Sequence, residues 1–545
     1  MPTLLFNKRE HPEVTFDDVF LVPGNQTALE VWNAASPEQR IAVWGEGAQF
    51  QSTDILCHAE LQAFRSRLLS LAEELKLGQF ISRDDVDLTP HGKLAKTPII
   101  ISNMSYVTGK RMAEKIGRVG GIAAIPQDKR DDELVPIIEY MRSRHPDYDT
   151  PVSITPHTKV HEFRRLLKKR SHDTAVVVDS DGCFQGVLHE KDISEGINAD
   201  ISIEPYIHRD DIVTARDGVT PLEAIAIMDR SHIHYLPILA RDGDHVVGVL
   251  TKIDAAMRLR YEPNVDAERG GLRAMYAVGA LNRHPLDRVK FLLDHGVRDI
   301  LLDVAHFDQG IQTYRNIEQV RGYAEQHGIS LNLAAGNVVT REAVRNIIAA
   351  GAQYVKGGIG PGAMCTTRME TGVGRPQVSM ILECADEAHR YGGFLISDGG
   401  VQYARDVAIS IAAGADYVMS GTPFAGTYES PPDMQYDEQG RPYKVNAGMA
   451  STRLSVLRAL GRQSKNPHDI FRDIVGHRSE GISASQVYVK PGMESAALVH
   501  HKFMDGLTSS ITYAGARSVR EFSEKAIIGI QTRNGFAEGQ AKPRF

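Results

Sequence analysis

The segment KGGIGPGAMCTTRMETGVG, Lys356 to Gly374, sets a cysteine, threonines and an arginine behind a run of closely spaced glycines. Gly357, Gly358, Gly360 and Gly362 permit left-handed backbone and close approach. Cys365 then falls in a polar loop beside Thr366, Thr367 and Arg368. Nearby positive charge favours the thiolate, which is the nucleophilic form of cysteine. The alternative, a buried spectator thiol, suits Cys384 in the helical ILECADEAHR better than Cys365. Two more glycine loops follow, SDGGVQ (Ser397 to Gln402) and MSGTPFAGT (Met419 to Thr427). Backbone N–H groups of Gly399, Gly400, Gly421 and Thr422 are candidate donors to a phosphate. Asp398 would repel a phosphate, so a sugar hydroxyl suits it better. Either loop alone could be an ordinary strand-to-helix turn; together they point to a phosphorylated ligand. Asp303, in LLDVAHFDQG, could accept hydrogen bonds from a ribose diol or could cap a helix.

These residues need a frame. Short apolar runs begin near Pro98, Gly121, Met275, Asp299, Leu331, Tyr354, Phe394 and Asp416. None alternates with polar residues, so each reads as a strand buried on both faces. Helix-period stretches lie between most of them, including Arg341 to Gln353 and Ala404 to Ala415. Eight such units predict an α/β fold, a (β/α)₈ TIM barrel, with an open doubly wound sheet as the rival. The Cys loop then follows strand six and the glycine loops follow strands seven and eight, at the end where barrels build active sites. About 150 residues separate the second strand from the third, so something is inserted there. The insert contains a repeat, AVVVDSDGCFQGVLHEKDI (Ala175 to Ile193) and YLPILARDGDHVVGVLTKID (Tyr235 to Asp254). Two related halves create a cleft suited to a ligand. After the last strand, Gly426 to Glu480 is long, irregular and rich in Pro, Gly and charge, as functional flaps are.

Composition narrows the function classes. The chain has 545 residues, a net charge of -7 and 42% hydrophobic residues, an ordinary globular balance with no basic excess for nucleic acid. Four cysteines, Cys57, Cys183, Cys365 and Cys384, form no CxxC pair, which predicts a reducing compartment and no structural zinc. No apolar run approaches membrane-span length and the start lacks a signal pattern, so a cytoplasmic protein is expected. No early GxGxxG is present, so a nicotinamide cofactor would not sit in a Rossmann crevice.

In order along the chain, TFDDVFLVPG, TPIIISNMSYVTG, GGIAAIPQD, GGIGPGAMCTTR, SDGG, GTPFAGT, GMAS and TYAGARSV resemble the IMP dehydrogenase/GMP reductase family. The insert resembles that family's tandem CBS motifs, a Bateman module. The resemblance implies a barrel from 1–149 and 261–545 with a flap, and CBS motifs over 150–260, divided near 205. It makes Cys365 the nucleophile toward purine carbon 2. Ser102, Met104, Asp398, Gly399, Gly400, Gly421, Thr422, Gly448 and Met449 would contact the nucleotide, and Asp303 the cofactor. Carbonyls of Gly360, Gly362 and Cys365 would hold a monovalent cation, K+. Regulatory purine nucleotides (ATP or GTP) would bind the CBS motifs, with Thr251 and Asp254 of TKID the ribose-binding pattern; the first half reads HEKD instead. A homotetramer is implied, and paired Bateman modules can join two into an octamer.

Two reactions share the covalent intermediate. GMP reductase expels ammonia from GMP and takes hydride from NADPH to give IMP; IMP dehydrogenase sends hydride to NAD and hydrolyses the adduct to XMP. Dehydrogenases of the family carry an Arg-Tyr pair in the flap to activate water. Ser451 to Glu480 contains no Tyr, so a dehydrogenase would need an unusual base such as Arg472 or Arg478. The Thr-Glu pair of reductases has counterparts in Thr367 and Glu480, and Asn103 is also reductase-like. The resemblance therefore points to the reductase branch, with IMP dehydrogenase the alternative and NADPH following from that branch alone. The insert argues the other way, since many reductases lack it. Ala363, Ser105 and Asn446 depart from the family's usual Ser, Asp and Tyr.

Overall fold

Runs of β-branched and small apolar residues form eight short strands: β1 (Ile99–Ile101), β2 (Ile122–Ile125), β3 (Met275–Gly279), β4 (Asp299–Asp303), β5 (Asn332–Val338), β6 (Tyr354–Gly357), β7 (Phe394–Asp398) and β8 (Tyr417–Ser420). The computed structural model describes residues 3–4, 15–17, 19–22, 34–44, 67, 70–71, 82–194, 196–281, 284–449, 451 and 481–540. All neighbouring pairs are parallel, and β8 returns to β1 through Val418↔Ile99 and Ser420↔Ile101. The sheet is a closed barrel, so the open-sheet rival is excluded. Ile100, Ala124, Met275, Leu301, Ala334, Ile396 and Met419 fill its interior. Their strand neighbours Ile99, Ile101, Ala123, Ile300, Leu302 and Val418 pack outward in the core shared with the helices. Both faces are apolar, which is why no polar alternation marks these strands.

The N-terminal end of the barrel is plugged. Tyr354 and Tyr417 hydroxyls accept the backbone N–H groups of Lys93 and Leu94 at 2.9 and 3.1 Å. A Cβ on Gly92 would lie 2.7 Å from the Tyr354 ring, so the plug passes there because glycine lacks one. The helices expected over Arg341 to Gln353 and Ala404 to Ala415 span Arg341–Ala349 and Ala404–Ala412. They end early because Gly351 (φ +111°) and Gly414 (φ +108°) turn left-handed just beyond them.

Between β2 and β3 stand two small sheets. One contains Ser153–Ile154, Thr174–Val178 and Phe184–His189; the other contains Ala215–Arg216, Tyr235–Leu239 and Val246–Thr251. Each long hairpin shifts register near an equivalent glycine, Gly186 or Gly248. A crossing segment lies beside the next residue in each case: His208 bridges Val187, and Asp149 bridges Val249. A Cβ on Gly186 would overlap the His208 carbonyl oxygen, and one on Gly248 would lie 2.5 Å from Tyr148 Cβ. The same glycine thus admits the crossing strand in both halves.

The insert meets the barrel at helix Lys110–Arg118, which follows β1. Glu114, Lys115 and Arg118 on that helix are buried. Lys115 Nζ lies 2.6 Å from Asp149 and 2.8 Å from Asp254. Arg118 pairs with Glu114 at 2.6 Å and with Asp149 at 2.8 Å, and Arg170 of the insert pairs with Glu114 at 3.0 Å. Burial alone would raise the Glu114 carboxyl, but Arg118 and Arg170 outweigh it and bring it down to about 2. Among the described residues, no helix is long and apolar enough to cross a membrane.

Candidate functional site

The C-terminal mouth of the barrel opens into a cavity of about 530 Å³. It gathers residues from five distant parts of the chain: Ser102, Asn103 and Met104 after β1; Asp303 on β4; Gly360, Gly362, Cys365 and Thr367 after β6; Asp398 to Gly400 after β7; and Gly421, Thr422, Gly448 and Met449 after β8. Every nucleotide and cofactor residue expected from the sequence therefore lines one space. Glu480 lies outside the described residues, as do Cys57, Arg472 and Arg478. Its neighbour Gly481 lines the cavity and pairs with Cys365 in an isolated antiparallel bridge.

Cys365 is exposed in the loop, while Cys384 is buried inside helix Gln377–Arg390 and its thiol is pushed up to about 12 by burial. The Cys365 thiol donates to Thr367 Oγ1 at 3.1 Å. Its backbone N–H donates to the Gly362 carbonyl at 2.9 Å, which folds the loop into a tight turn around the thiol. Gly448 reaches the same loop, where a Cβ would lie 2.8 Å from the Met364 carbonyl oxygen. That close approach holds the segment around Gly448 against the Cys365 loop.

After β7, Gly399 and Gly400 take φ of +92° and +80°, which a residue with a side chain would resist. A Cβ on Gly421 would lie 2.6 Å from Ser102 Oγ. The hydroxyls of Ser102 and Ser420 are buried without a hydrogen-bond partner among the described residues, and both residues line the cavity. A buried hydroxyl normally has a partner, so these two fit a polar ligand.

The helix-capping alternative for Asp303 is excluded, because the next helix starts at Ile311 with Gly310 at its N-cap. Asp303 instead accepts Asn103 Nδ2 at 2.9 Å and pairs with Lys356 Nζ at 2.7 Å. Lys356 also reaches Asp398 at 2.8 Å, and Asn337 Nδ2 donates to the same Asp398 oxygen at 2.9 Å. Burial alone would depress the Lys356 ammonium, but Asp303 and Asp398 outweigh it and hold it above the usual lysine range. Sequence reasoning missed Lys356, Asn337 and Gln127 as site residues, although all three line the cavity. The signal available was a lysine at the end of an otherwise apolar strand, YVKG.

The regulatory pair expected in the insert has protein partners. Thr251 caps helix Lys252–Arg260 by accepting the Asp254 N–H at 3.1 Å, and its hydroxyl donates to Asp254 Oδ2 at 2.7 Å. Asp254 Oδ1 is held by Lys115 of the barrel. Among the described residues, no cluster of His, Cys, Asp and Glu could hold a metal ion.

Residues 82–542 match the family model described as the IMP dehydrogenase / GMP reductase domain. The chain is 39% identical over 471 residues to a GMP reductase of Mycobacterium tuberculosis, covering 85% of this chain and 93% of that protein. It is 33% identical over 447 residues to an inosine-5'-monophosphate dehydrogenase of Aquifex aeolicus, covering 81% and 87%. A crystal structure of a GMP reductase from Trypanosoma brucei in complex with guanosine 5'-monophosphate superimposes with a TM-score of 0.61 at 22% identity, covering 99% of this chain and 100% of that one, and shares the fold. With its Cys365 loop at the mouth of a closed eight-stranded barrel and a domain match across most of its length, the chain belongs to the IMP dehydrogenase/GMP reductase family.

Proposed function

We propose that the chain is a GMP reductase, converting GMP to IMP and ammonia through a covalent adduct on Cys365. The observation that carries this reading is the Cys365 thiol at the cavity mouth, 3.1 Å from Thr367 Oγ1. The thiolate of Cys365 attacks purine carbon 2. The carbon–nitrogen bond to the 2-amino group then breaks, and the nitrogen leaves as ammonia. Thr367 delivers the proton that the departing amine needs, with Glu480 as the carboxylate behind it. NADPH, when bound, supplies the hydride that adds to carbon 2. The carbon–sulfur bond then breaks, releasing IMP and restoring the Cys365 thiolate.

The remaining residues bind. Ser102, Ser420 and the Gly421–Thr422 turn suit the phosphate, Asp398 the sugar hydroxyls, and Met104, Gly448 and Met449 the purine. Asp303 suits a hydroxyl of the cofactor. Lys356 is the one cation among the described cavity residues, and it is committed to two carboxylates. NADPH over NADH therefore rests on the reductase reading and not on a seat for the 2′-phosphate. The carbonyls of Gly360, Gly362 and Cys365 would hold a monovalent cation, which would fix the loop that carries the nucleophile; the Gly362 carbonyl keeps one lone pair for it beyond the Cys365 N–H. Purine nucleotides would act at the repeated insert as regulators, through Thr251 and Asp254.

The dehydrogenase alternative needs a hydrolytic base. The Tyr-free stretch from Ser451 to Glu480 lacks the family's Arg-Tyr pair, and loss of general-base help slows a step by about 10²–10⁴-fold. The test is direct: incubate the chain with GMP and NADPH, and separately with IMP and NAD. NADPH consumption with ammonia release is expected; NADH formation with XMP would replace this reading by the dehydrogenase. Cys365→Ser should abolish turnover while keeping GMP binding, and an active Ser variant would refute the covalent route.

A further inference from the structure

Lys356 projects from β6 with its side chain 5% exposed. Its ammonium joins the carboxylate at the end of β4 to the one at the end of β7, at 2.7 and 2.8 Å. Both carboxylates line the same cavity, and each is braced by an amide: Asp303 by Asn103, Asp398 by Asn337, both at 2.9 Å. Among the described residues Asp398 Oδ2 carries both side-chain contacts, so Oδ1 is the oxygen left to accept a ligand hydroxyl. Neither aspartate can rotate without moving the shared ammonium. A ligand that fixes one carboxylate therefore fixes Lys356, and through it the other carboxylate. The second ligand meets an ordered partner and loses less conformational freedom on binding, which makes the coupling positive.

We propose that Lys356 is a positioning residue that makes nucleotide and cofactor binding interdependent, the nucleotide held at Asp398 and the cofactor at Asp303. This rests on the roles given above to those two aspartates. Reciprocity is required: the factor by which GMP tightens the cofactor must equal the factor by which the cofactor tightens GMP.

The test uses the full chain carrying Cys365→Ala, which blocks adduct formation. Calorimetric titration of GMP with and without saturating NADP+, and of NADP+ with and without GMP, gives the factor from both sides. At least about fivefold mutual tightening is expected, the lower end of common coupling strengths. Adding Lys356→Met should bring the factor close to one, and Lys356→Arg should restore part of it, because a guanidinium can span two carboxylates. If Lys356→Met does not fold, Asp303→Asn answers the same question: it should change GMP affinity although it lies on the cofactor side. A merely structural lysine would leave the coupling factor intact in folded Lys356→Met, and that result overturns the proposal. So does an absence of mutual tightening in the parent. If Asp398→Asn leaves GMP affinity unchanged, the assignment of the nucleotide subsite itself falls, which is a separate failure.

Discussion

Lys356 and Lys115 are built alike and surrounded differently. Each is a buried lysine bridging two carboxylates: Asp303 and Asp398 at 2.7 and 2.8 Å, Asp149 and Asp254 at 2.6 and 2.8 Å. Around Lys115, at the junction of barrel and insert, Arg118 and Arg170 meet Glu114, so three cations face three anions and the cluster is neutral. Around Lys356 the additional partners among the described residues are the uncharged amides of Asn103, Asn337 and Gln127, so among them one surplus negative charge stands beside the cavity. A buried charge without a partner is costly, and at the junction each buried charge has a partner of opposite sign. An unbalanced carboxylate at a cavity suits the hydroxyl donors proposed above for Asp303 and Asp398.

The largest effect expected from this difference is on stability at the junction. Asp149→Asn leaves Lys115, Arg118 and Arg170 facing one carboxylate fewer, and should destabilise the chain by about 3–5 kcal/mol in urea unfolding. Asp398→Asn leaves Lys356 paired with Asp303 and should cost less stability than Asp149→Asn. Its effect belongs to binding: loss of a charge-assisted acceptor, worth about 1.5–3 kcal/mol, should weaken GMP by about 10-fold or more. Were Asp398→Asn the destabilising change and Asp149→Asn the mild one, the contrast between the two bridges would be wrong.

Acid tests the same junction at a smaller magnitude. Arg118 and Arg170 outweigh burial and hold the Glu114 carboxyl in the fold below the ordinary carboxylate range. A folded value below the unfolded one gives stability that is present above the unfolded value and lost as pH falls toward the folded one. Glu114→Gln lacks this contribution at every pH. The stability gap between parent and Glu114→Gln should therefore narrow as pH drops from 5 to 2, read by urea unfolding at each pH. A gap that stays constant would show that Arg118 and Arg170 do not hold Glu114 ionised.

The two bridges also mark the limit of what the sequence makes legible. All eight barrel strands could be read because a strand buried on both faces leaves an uninterrupted apolar run, as in PIIIS or DILLDVA. The glycine loops could be read because left-handed backbone at Gly399 and Gly400 restricts the residue type. Asp303 could be noticed but not assigned, since a strand-end aspartate and a helix cap look the same until the helix start is known. Lys356 reads as one polar letter in a strand; its meaning comes from Asp303 and Asp398, 53 and 42 residues away. KRMAEKIGR reads as a charged, solvated helix, yet Glu114, Lys115 and Arg118 are buried because the insert packs over them. Local pattern reports what a segment can bury, whereas charge pairing across the fold decides what it does bury.

The finest version of the comparison lies inside the insert, between the repeated endings HEKD and TKID. Asp192 and Asp254 occupy equivalent positions after equivalent hairpins. Asp192 accepts the His189 N–H at 3.0 Å and pairs with His208 at 2.9 Å, on the segment that crosses beside Val187. At the matching crossing beside Val249 stands Asp149, an acid, so Asp254 cannot use it and Lys115 of the barrel supplies the cation for both. One half therefore finds a side-chain partner for its carboxylate on its own crossing segment, while the other, besides Thr251, takes its cation from the barrel. The His208 side chain is 52% exposed, and an exposed pair contributes little. His208→Ala should cost less than about 1 kcal/mol in thermal unfolding. Lys115→Met, which takes the cation from Asp254 and one of three cations from around Asp149, should cost about 3 kcal/mol or more. Equal losses would mean that the exposed pair matters as much as the junction, and that the repeat is symmetric in energy as well as in shape.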